Sequence, residues 1–227
     1  MPVRRKASLR SVHDRLHRYY GPRDWWPAET PFEVCVGAIL TQNTAWTNVE
    51  KAIASLKKAG ALTAASLQEL PLHELAVLVR PAGYYNSKSR TLKEFVGWLS
   101  ARYNGSLEQM CAGDWQTVRR ELLTVRGIGP ETCDSILLYA GEKPTFVVDA
   151  YTRRLFSRLG LLRAGAGYDE TRDLFMTALP ADHRLFNRYH ALIVEQCKQF
   201  CRTVPRCSGC PLHTCCPAAQ PPGEKIA

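Results

Sequence analysis

Long apolar runs are absent from this chain of 227 residues. No stretch approaches about 18 consecutive apolar residues, the length that a membrane-spanning helix needs. The basic amino-terminal sequence MPVRRKASLR is not followed by the apolar core of a secretion signal. We therefore expect a soluble, non-secreted, cytoplasmic protein with no membrane partner.

Alternating patterns typical of β-strands are also missing, as are internal repeats. The fold class predicted from this pattern is all-α. The segment Thr30-Pro31-Phe32-Glu33 has the residues of a helix start with a capping box. The apolar segment behind it, FEVCVGAIL, predicts a central buried helix. Apolar residues at helical spacing predict further helices over 48–59, 66–79, 87–102, 114–123, 168–179 and 184–200.

Acidic residues are fewer than basic ones. The chain has 30 Lys and Arg against 21 Asp and Glu, which gives a net charge of +9. This balance favours a polyanionic partner, nucleic acid before membrane. Because 45% of the residues are hydrophobic, the chain can bury a sizeable core as one large domain or two small ones.

Cysteine is unevenly distributed. Six of the nine cysteines fall within residues 197–216, where the spacing is Cys201-x5-Cys207-x2-Cys210-x5-Cys216. Without a secretion signal, such a cluster of thiols indicates a metal site rather than disulfides. The spacing alone fits zinc and an iron–sulfur cluster equally well. Cys197 and Cys215 are spare, and Cys215 is the main rival to Cys216 as a ligand.

Residues 123–149 are the most informative stretch, LTVRGIGPETCDSILLYAGEKPTFVVD. Gly127 and Gly129 allow a sharp turn between two apolar helices, and the free N–H groups at the start of the second helix can bind an anion. A single carboxylate, Asp149, closes the segment and precedes a further helical pattern that stops at Gly160. On its own, an Asp in this place is most simply a helix N-cap.

Together with the AYTRRL that follows, this stretch resembles the helix-hairpin-helix and following Asp of the endonuclease III-like DNA glycosylases. The resemblance implies that Asp149 is the catalytic carboxylate. It also implies that the hairpin contacts DNA phosphates without reading sequence; by position, the contacting residues are Gly127, Ile128, Gly129 and Thr132. In this family a monovalent cation often lies on hairpin carbonyls, here those of Leu123, Val125 and Ile128.

Glu131 departs from the endonuclease III pattern. Endonuclease III has a lysine at this position, and its amine forms a Schiff base with the sugar and nicks the strand. A carboxylate cannot form that imine. We therefore expect water as the nucleophile and no strand nicking.

The cysteine pattern resembles the [4Fe–4S] loop of the same family, although its first gap is one residue shorter than the usual six. The resemblance implies that Cys201, Cys207, Cys210 and Cys216 are the ligands.

The amino-terminal third carries two more matches to the family. Gln42, in LTQNT, corresponds to the residue that fills the gap left by a flipped base. The combination of WWPA with TPFEVCVGAILTQNTAW resembles the 3-methyladenine glycosylase branch, in which Trp26, Pro27 and Trp46 would line the base pocket. A cationic alkylated purine would gain a cation–π contact there.

The resemblance implies a two-lobed helical fold. One lobe would comprise residues 33–143, and the other would comprise residues 1–32 together with 144–217. Residues 218–227 would form a disordered tail. The expected function is a monofunctional, monomeric, nucleoid-associated glycosylase that removes alkylated purines from double-stranded DNA. The alternatives are an endonuclease III-type glycosylase and lyase on oxidised pyrimidines, a mismatch glycosylase, and a non-catalytic DNA-binding protein.

Overall fold

The computed structural model of the protein describes residues 7–23, 26 and 28–219. All regular structure in these ranges is helical and no strand occurs in them, which confirms the all-α fold class. No helix in the same ranges is long and apolar enough to cross a membrane. In chain order the helices are α1 (Leu9–Tyr20), α2 (Pro31–Leu40), α3 (Trp46–Lys58), α4 (Ala64–Glu69), α5 (Leu72–Leu78), α6 (Tyr85–Tyr103), α7 (Leu107–Ala112), α8 (Trp115–Leu122), α9 (Pro130–Ser135), α10 (Ala150–Arg158), α11 (Tyr168–Ala178) and α12 (His183–Gln199).

The chain divides into two compact units. Trp26–Lys143 forms one, here called the hairpin unit, and Met1–Trp25 with Pro144–Ala227 forms the other, the cysteine unit. The division falls before Trp26, earlier than the boundary at residue 33 expected from the sequence. Residues 220–227 of the expected tail lie outside the described residues.

Helix α2 is the central element of the hairpin unit. Every residue from Glu33 to Leu40 is buried, which confirms the buried helix predicted from its sequence. Thr30 caps the helix, since its hydroxyl accepts from the Glu33 N–H at 3.1 Å. The predicted capping box is only half correct. The Glu33 carboxylate instead accepts from the Glu29 N–H at 3.2 Å and lies 3.0 Å from the ammonium of Lys57.

The single helix expected over 66–79 is wrong, because α4 and α5 are separate. Leu70, between them, has an extended ψ of 128° and is followed by Pro71. The proline ring disfavours helical backbone in the preceding residue, and this steric effect outweighs the continuous apolar pattern.

The cysteine unit is built around an aromatic core. The rings of Phe146 and Phe175 stack with centroids 3.9 Å apart, and Phe156 and Tyr189 pack against Phe175 edge-on. Helix α10 begins directly after Asp149, in agreement with the sequence pattern. The core therefore includes Phe146, three residues before Asp149, and Phe156, which lies within α10.

Candidate functional site

The turn between α8 and α9 contains two glycines with different structural roles. Gly127 has φ of +90°, and a Cβ there would lie 2.1 Å from the Thr91 hydroxyl of α6. Gly129 has φ of −90°, and no described atom comes within 4 Å of an added Cβ. Gly127 is thus required by the fold, whereas Gly129 leaves the backbone of the turn open to its surroundings.

Not every backbone N–H group of this turn is available to bind a ligand. The Ile128 side chain is buried, and its N–H donates to the Val125 carbonyl at 3.1 Å. Pro130 has no N–H to offer. Glu131 is exposed in the first turn of α9, where the helix dipole favours a carboxylate.

Gln42 is held against the same turn. Its Nε2 donates to the Gly127 carbonyl and to the Thr132 hydroxyl, both at 2.9 Å. The end of α2 just before it is fixed by buried Lys88, whose ammonium donates to the Leu40 carbonyl at 2.8 Å. The structure therefore brings together three of the residues that the sequence singled out, Gln42, Gly127 and Thr132.

An aromatic cluster lies elsewhere in the hairpin unit. The Trp26 ring meets Trp46 edge-on and stacks on Tyr139, with centroid distances of 5.2 Å in both cases. Trp26 has φ of +84°, an uncommon value for a residue with a side chain. Its buried indole N–H has no hydrogen-bond partner among the described residues. Pro27, the third residue expected in this pocket, lies outside those residues.

Tyr139 belongs to a π-helical turn, Ile136–Ala140, that continues α9. Such turns are rare and occur often at functional sites, because the extra residue re-aims the side chains that follow. Here the turn places Tyr139 in the aromatic cluster.

Asp149 is the N-cap of α10, as the simpler interpretation of its position predicts. Its Oδ1 accepts from the Thr152 N–H at 2.7 Å, and its Oδ2 lies 3.4 Å from Nε2 of His190 on α12. Both side chains are largely buried. Burial raises the pKa of Asp149, but the charge of nearby His190 and the hydrogen bond from the Thr152 N–H lower it by more. Asp149 is therefore a buried carboxylate that stays ionised at neutral pH.

One cavity in the cysteine unit is lined by Cys201, Cys207, Cys210 and Cys216. Burial raises the pKa of Cys216, and the charges of the other three cavity cysteines raise it further, as expected for sulfurs in close proximity. Cys215 lies outside the cavity lining; it is buried, and its thiol donates to the Leu212 carbonyl at 3.3 Å.

Donors from neighbouring side chains reach the cavity sulfurs. Arg158 lies 3.3 Å from the Cys201 sulfur, and Gln196 Nε2 lies 3.1 Å from the Cys210 sulfur. Two hydrogen bonds lower the pKa of Cys201. The larger effect comes from the Cys197 thiol and the smaller from Arg158. These contacts favour a thiolate, the form in which cysteine binds metals.

The four cysteines of the cavity are donors that both zinc and iron–sulfur clusters use. Among the described residues, no three His, Cys, Asp or Glu side chains form a ready-made site for a metal ion. By their chemistry, the thiols that line this cavity fit either group.

Comparison with known proteins identifies the family. A model described as the HhH-GPD superfamily of base excision DNA repair proteins matches residues 36–181. The chain belongs to this superfamily. It is a base excision repair DNA glycosylase of the helix-hairpin-helix type, as the resemblance in its sequence predicted.

Several relatives extend along nearly the whole chain. A protein of Methanocaldococcus jannaschii, provisionally named a DNA repair glycosylase, is 49% identical over 207 residues, which are 90% of this chain and 94% of the relative. The crystal structure of an H. pylori 3-methyladenine DNA glycosylase bound to 1,N6-ethenoadenine has a TM-score of 0.75 at 29% identity and covers 85% of this chain and 98% of its own. A non-covalent endonuclease III–DNA complex has a TM-score of 0.80 at 23% identity, covers 93% of this chain and 94% of its own, and supports the fold alone.

Two residues of the glycosylase lie against predicted site residues although nothing in the sequence indicates this placement. Tyr139 lies in an apolar run whose helical spacing predicts only core, and the π-helical turn that re-aims it is not visible in the pattern. His190 lies far from Asp149 in the chain, so only the packing of α12 near the start of α10 brings the two together.

Proposed function

We propose that this glycosylase is monofunctional and removes alkylated purines such as 3-methyladenine from double-stranded DNA. The observation that carries the proposal is the cluster of Trp26, Trp46 and Tyr139 in the hairpin unit. The relative from H. pylori, which is named for 3-methyladenine, supports it.

The aromatic cluster suits a cationic base. Stacking on an aromatic side chain contributes about 1–3 kcal/mol per base, and a cation over an indole gains a further electrostatic attraction. Alkylation at a ring nitrogen gives the purine a positive charge. An electron-rich cluster therefore favours the alkylated base over its neutral parent.

In this proposal Asp149 supplies the charge that the reaction needs. As the N-glycosidic bond breaks, its electron pair leaves with the purine, and positive charge develops on the sugar. A buried, ionised carboxylate stabilises that charge. Asp149 then accepts the proton of the water that attacks the anomeric carbon. An alkylated purine is already a good leaving group, so the mechanism requires no strong acid.

Glu131 accounts for the proposed lack of lyase activity. The reaction of the lysine-bearing enzymes begins with attack by an amine, and the corresponding side chain here is an exposed carboxylate. Water remains as the nucleophile, and the product is an intact strand with an abasic site.

The hairpin and Gln42 are the proposed DNA contacts. The open backbone at Gly129 and the Thr132 hydroxyl would bind a phosphate, with the net charge of +9 drawing the duplex to the protein. Gln42 would leave its contacts with the turn to fill the gap in the duplex. We expect the protein to act as a monomer.

We also propose that the four cavity cysteines hold a [4Fe–4S] cluster. When bound, such a cluster cross-links the loop through four thiolate–iron bonds, and metal binding of this kind contributes to folding. The Cys201 thiol, whose pKa is lowered, would keep its hydrogen bond from Arg158. The Cys210 sulfur would keep its hydrogen bond from Gln196.

A panel of duplexes, each with one lesion, tests the proposal. Base release is measured directly, and strand cleavage is measured with and without hot alkali. We expect release of 3-methyladenine or 7-methylguanine, and strand breaks only after alkali. If thymine glycol is released and no methylated purine is, the endonuclease III-type alternative replaces the proposal. Binding without release of any base would indicate a non-catalytic protein.

A further inference from the structure

We infer that His190 is a positioning residue for Asp149, holding its carboxylate ionised and in one orientation. The inference rests on the proposed role of Asp149 in base release. His190 itself would touch neither the base nor the sugar.

The geometry accounts for both carboxylate oxygens. Oδ1 accepts the Thr152 N–H at 2.7 Å, and Oδ2 faces His190 Nε2 at 3.4 Å. The latter is an ion-pair distance, longer than an ordinary N–H···O bond, and catalytic contacts are often long before substrate binds. Thr152 thus binds one oxygen of the carboxylate and His190 faces the other.

The packing around His190 keeps water away from its contact with Asp149. The His190 side chain is only 5% exposed, and the Asp149 side chain 14%. The Phe146 ring meets the imidazole edge-on, with centroids 6.5 Å apart. In such apolar surroundings a charge pair is poorly screened by water. A carboxyl group with no partner there would be driven towards its neutral form, which cannot stabilise a cationic transition state.

Other titratable groups lie near the pair. Cys197 lies on α12, the same helix as His190, and the charge of Asp149 acts to raise the pKa of its thiol. The charge of Arg154 on α10 acts on the pKa of Cys197 in the opposite direction. Arg154 also donates a hydrogen bond to the Cys201 carbonyl at 2.7 Å. From α1, His13 packs on Tyr189, the chain neighbour of His190, at a centroid distance of 5.1 Å. A change at position 190 alone leaves these groups in place.

Two substitutions separate charge from hydrogen bonding. His190→Phe removes both, while His190→Gln keeps a neutral donor. Tyr189→Phe is the matched control, because it removes a different buried hydrogen bond of the same helix. In that bond the Tyr189 hydroxyl donates to the Leu9 carbonyl at 2.7 Å. Thermal unfolding of each variant verifies that it is folded.

The first readout is the pH profile of single-turnover base release. Since His190 lowers the pKa of Asp149 and burial raises it, loss of His190 raises it. The acidic limb of the activity profile should therefore move to higher pH in His190→Phe. His190→Gln should shift less, and Tyr189→Phe should retain the wild-type profile.

The second readout needs no turnover. Binding is compared for a duplex with a cationic pyrrolidine in place of the damaged nucleoside and for one with a neutral tetrahydrofuran. At the acidic end of the profile, His190→Phe should lose most of the preference for the cation, because more of its Asp149 is protonated there than in the wild type. Affinity for tetrahydrofuran should stay unchanged.

The outcomes separate this inference from the proposed function. If Asp149→Asn releases bases at the wild-type rate, the catalytic role of Asp149 is wrong. If Asp149→Asn is inactive but a folded His190→Phe keeps the wild-type pH profile and cation preference, the positioning role of His190 is wrong. Equal shifts in His190→Phe and Tyr189→Phe would also overturn it, because they would indicate a general packing effect.

Discussion

Replacing each hairpin glycine with alanine should separate folding from DNA binding. In Gly127→Ala, a residue with a side chain must adopt φ of +90°, and its Cβ would lie 2.1 Å from the Thr91 hydroxyl. The left-handed backbone costs about 1–2 kcal/mol and relief of the overlap about 1–3 kcal/mol. We therefore expect a loss of about 2–5 kcal/mol in the free energy of unfolding, or about 4–20 °C in Tm for a chain of this size.

Gly129→Ala should behave in the opposite way. Its φ of −90° and ψ of 175° suit any residue, and an added Cβ has no described atom within 4 Å. Stability should stay equal or rise by about 0.4–1 kcal/mol, because alanine restricts the unfolded chain. The methyl group would stand where the proposed phosphate contact places a phosphate against the backbone. Loss of one hydrogen bond to a charged group, about 1.5–3 kcal/mol, predicts affinity weaker by roughly tenfold to a hundredfold.

Thermal unfolding and fluorescence anisotropy on an abasic duplex measure the two effects separately. Anisotropy should be recorded at a temperature where both variants are folded and at fixed salt, since phosphate contacts depend on ionic strength. A Gly127→Ala variant as stable as the wild type would refute the steric argument. Wild-type affinity in Gly129→Ala would remove the backbone at position 129 from the proposed phosphate contact.

Four further outcomes follow from the site. Purified protein should be brown and contain iron and sulfide, whereas a colourless, zinc-loaded, active preparation would contradict the proposed cluster. Because Glu131 stands in place of the lysine, borohydride should not trap the protein on damaged DNA, and efficient trapping would show another amine at work. Asp149→Asn should abolish base release and leave abasic-site binding largely intact, since the charge acts mainly in the transition state; near wild-type single-turnover release would reduce Asp149 to a helix cap. Trp46→Ala and Tyr139→Leu should slow release of 3-methyladenine roughly tenfold to a hundredfold and that of a neutral lesion less; equal losses on both lesions would count against a cation–π contact.

The helical class was predictable because helical periodicity is a local property. Residues three and four apart lie on one face of a helix, so a buried face is visible in any segment that folds as one helix. The prediction was wrong over 66–79, where the apolar spacing continues across Leu70 and Pro71 although the backbone cannot. A proline outweighs the pattern at that point because its steric effect acts directly on its neighbour's ψ.

The two hairpin glycines show a limit of another kind. In the sequence they are equivalent, two residues around one apolar neighbour that allow a turn. The structure distinguishes them because Thr91 of α6 lies against one and no described residue lies against the other. Which glycine serves the fold depends on a helix far away in the chain, and local sequence carries no information about it.

Asp149 shows why the position of a candidate site residue can be predicted while the residue that faces it cannot. Its capping bond to the Thr152 N–H is set by residues of the same turn, so the sequence around it is enough to predict the cap. That bond occupies Oδ1 and leaves Oδ2 on the side of α12. The group that faces Oδ2 contributes to the lowered pKa of this carboxyl. It comes from α12, whose sequence contains two histidines, His183 and His190, and does not indicate which of them lies near Asp149. The local pattern thus predicts where the carboxylate is, and tertiary packing determines which group faces its second oxygen.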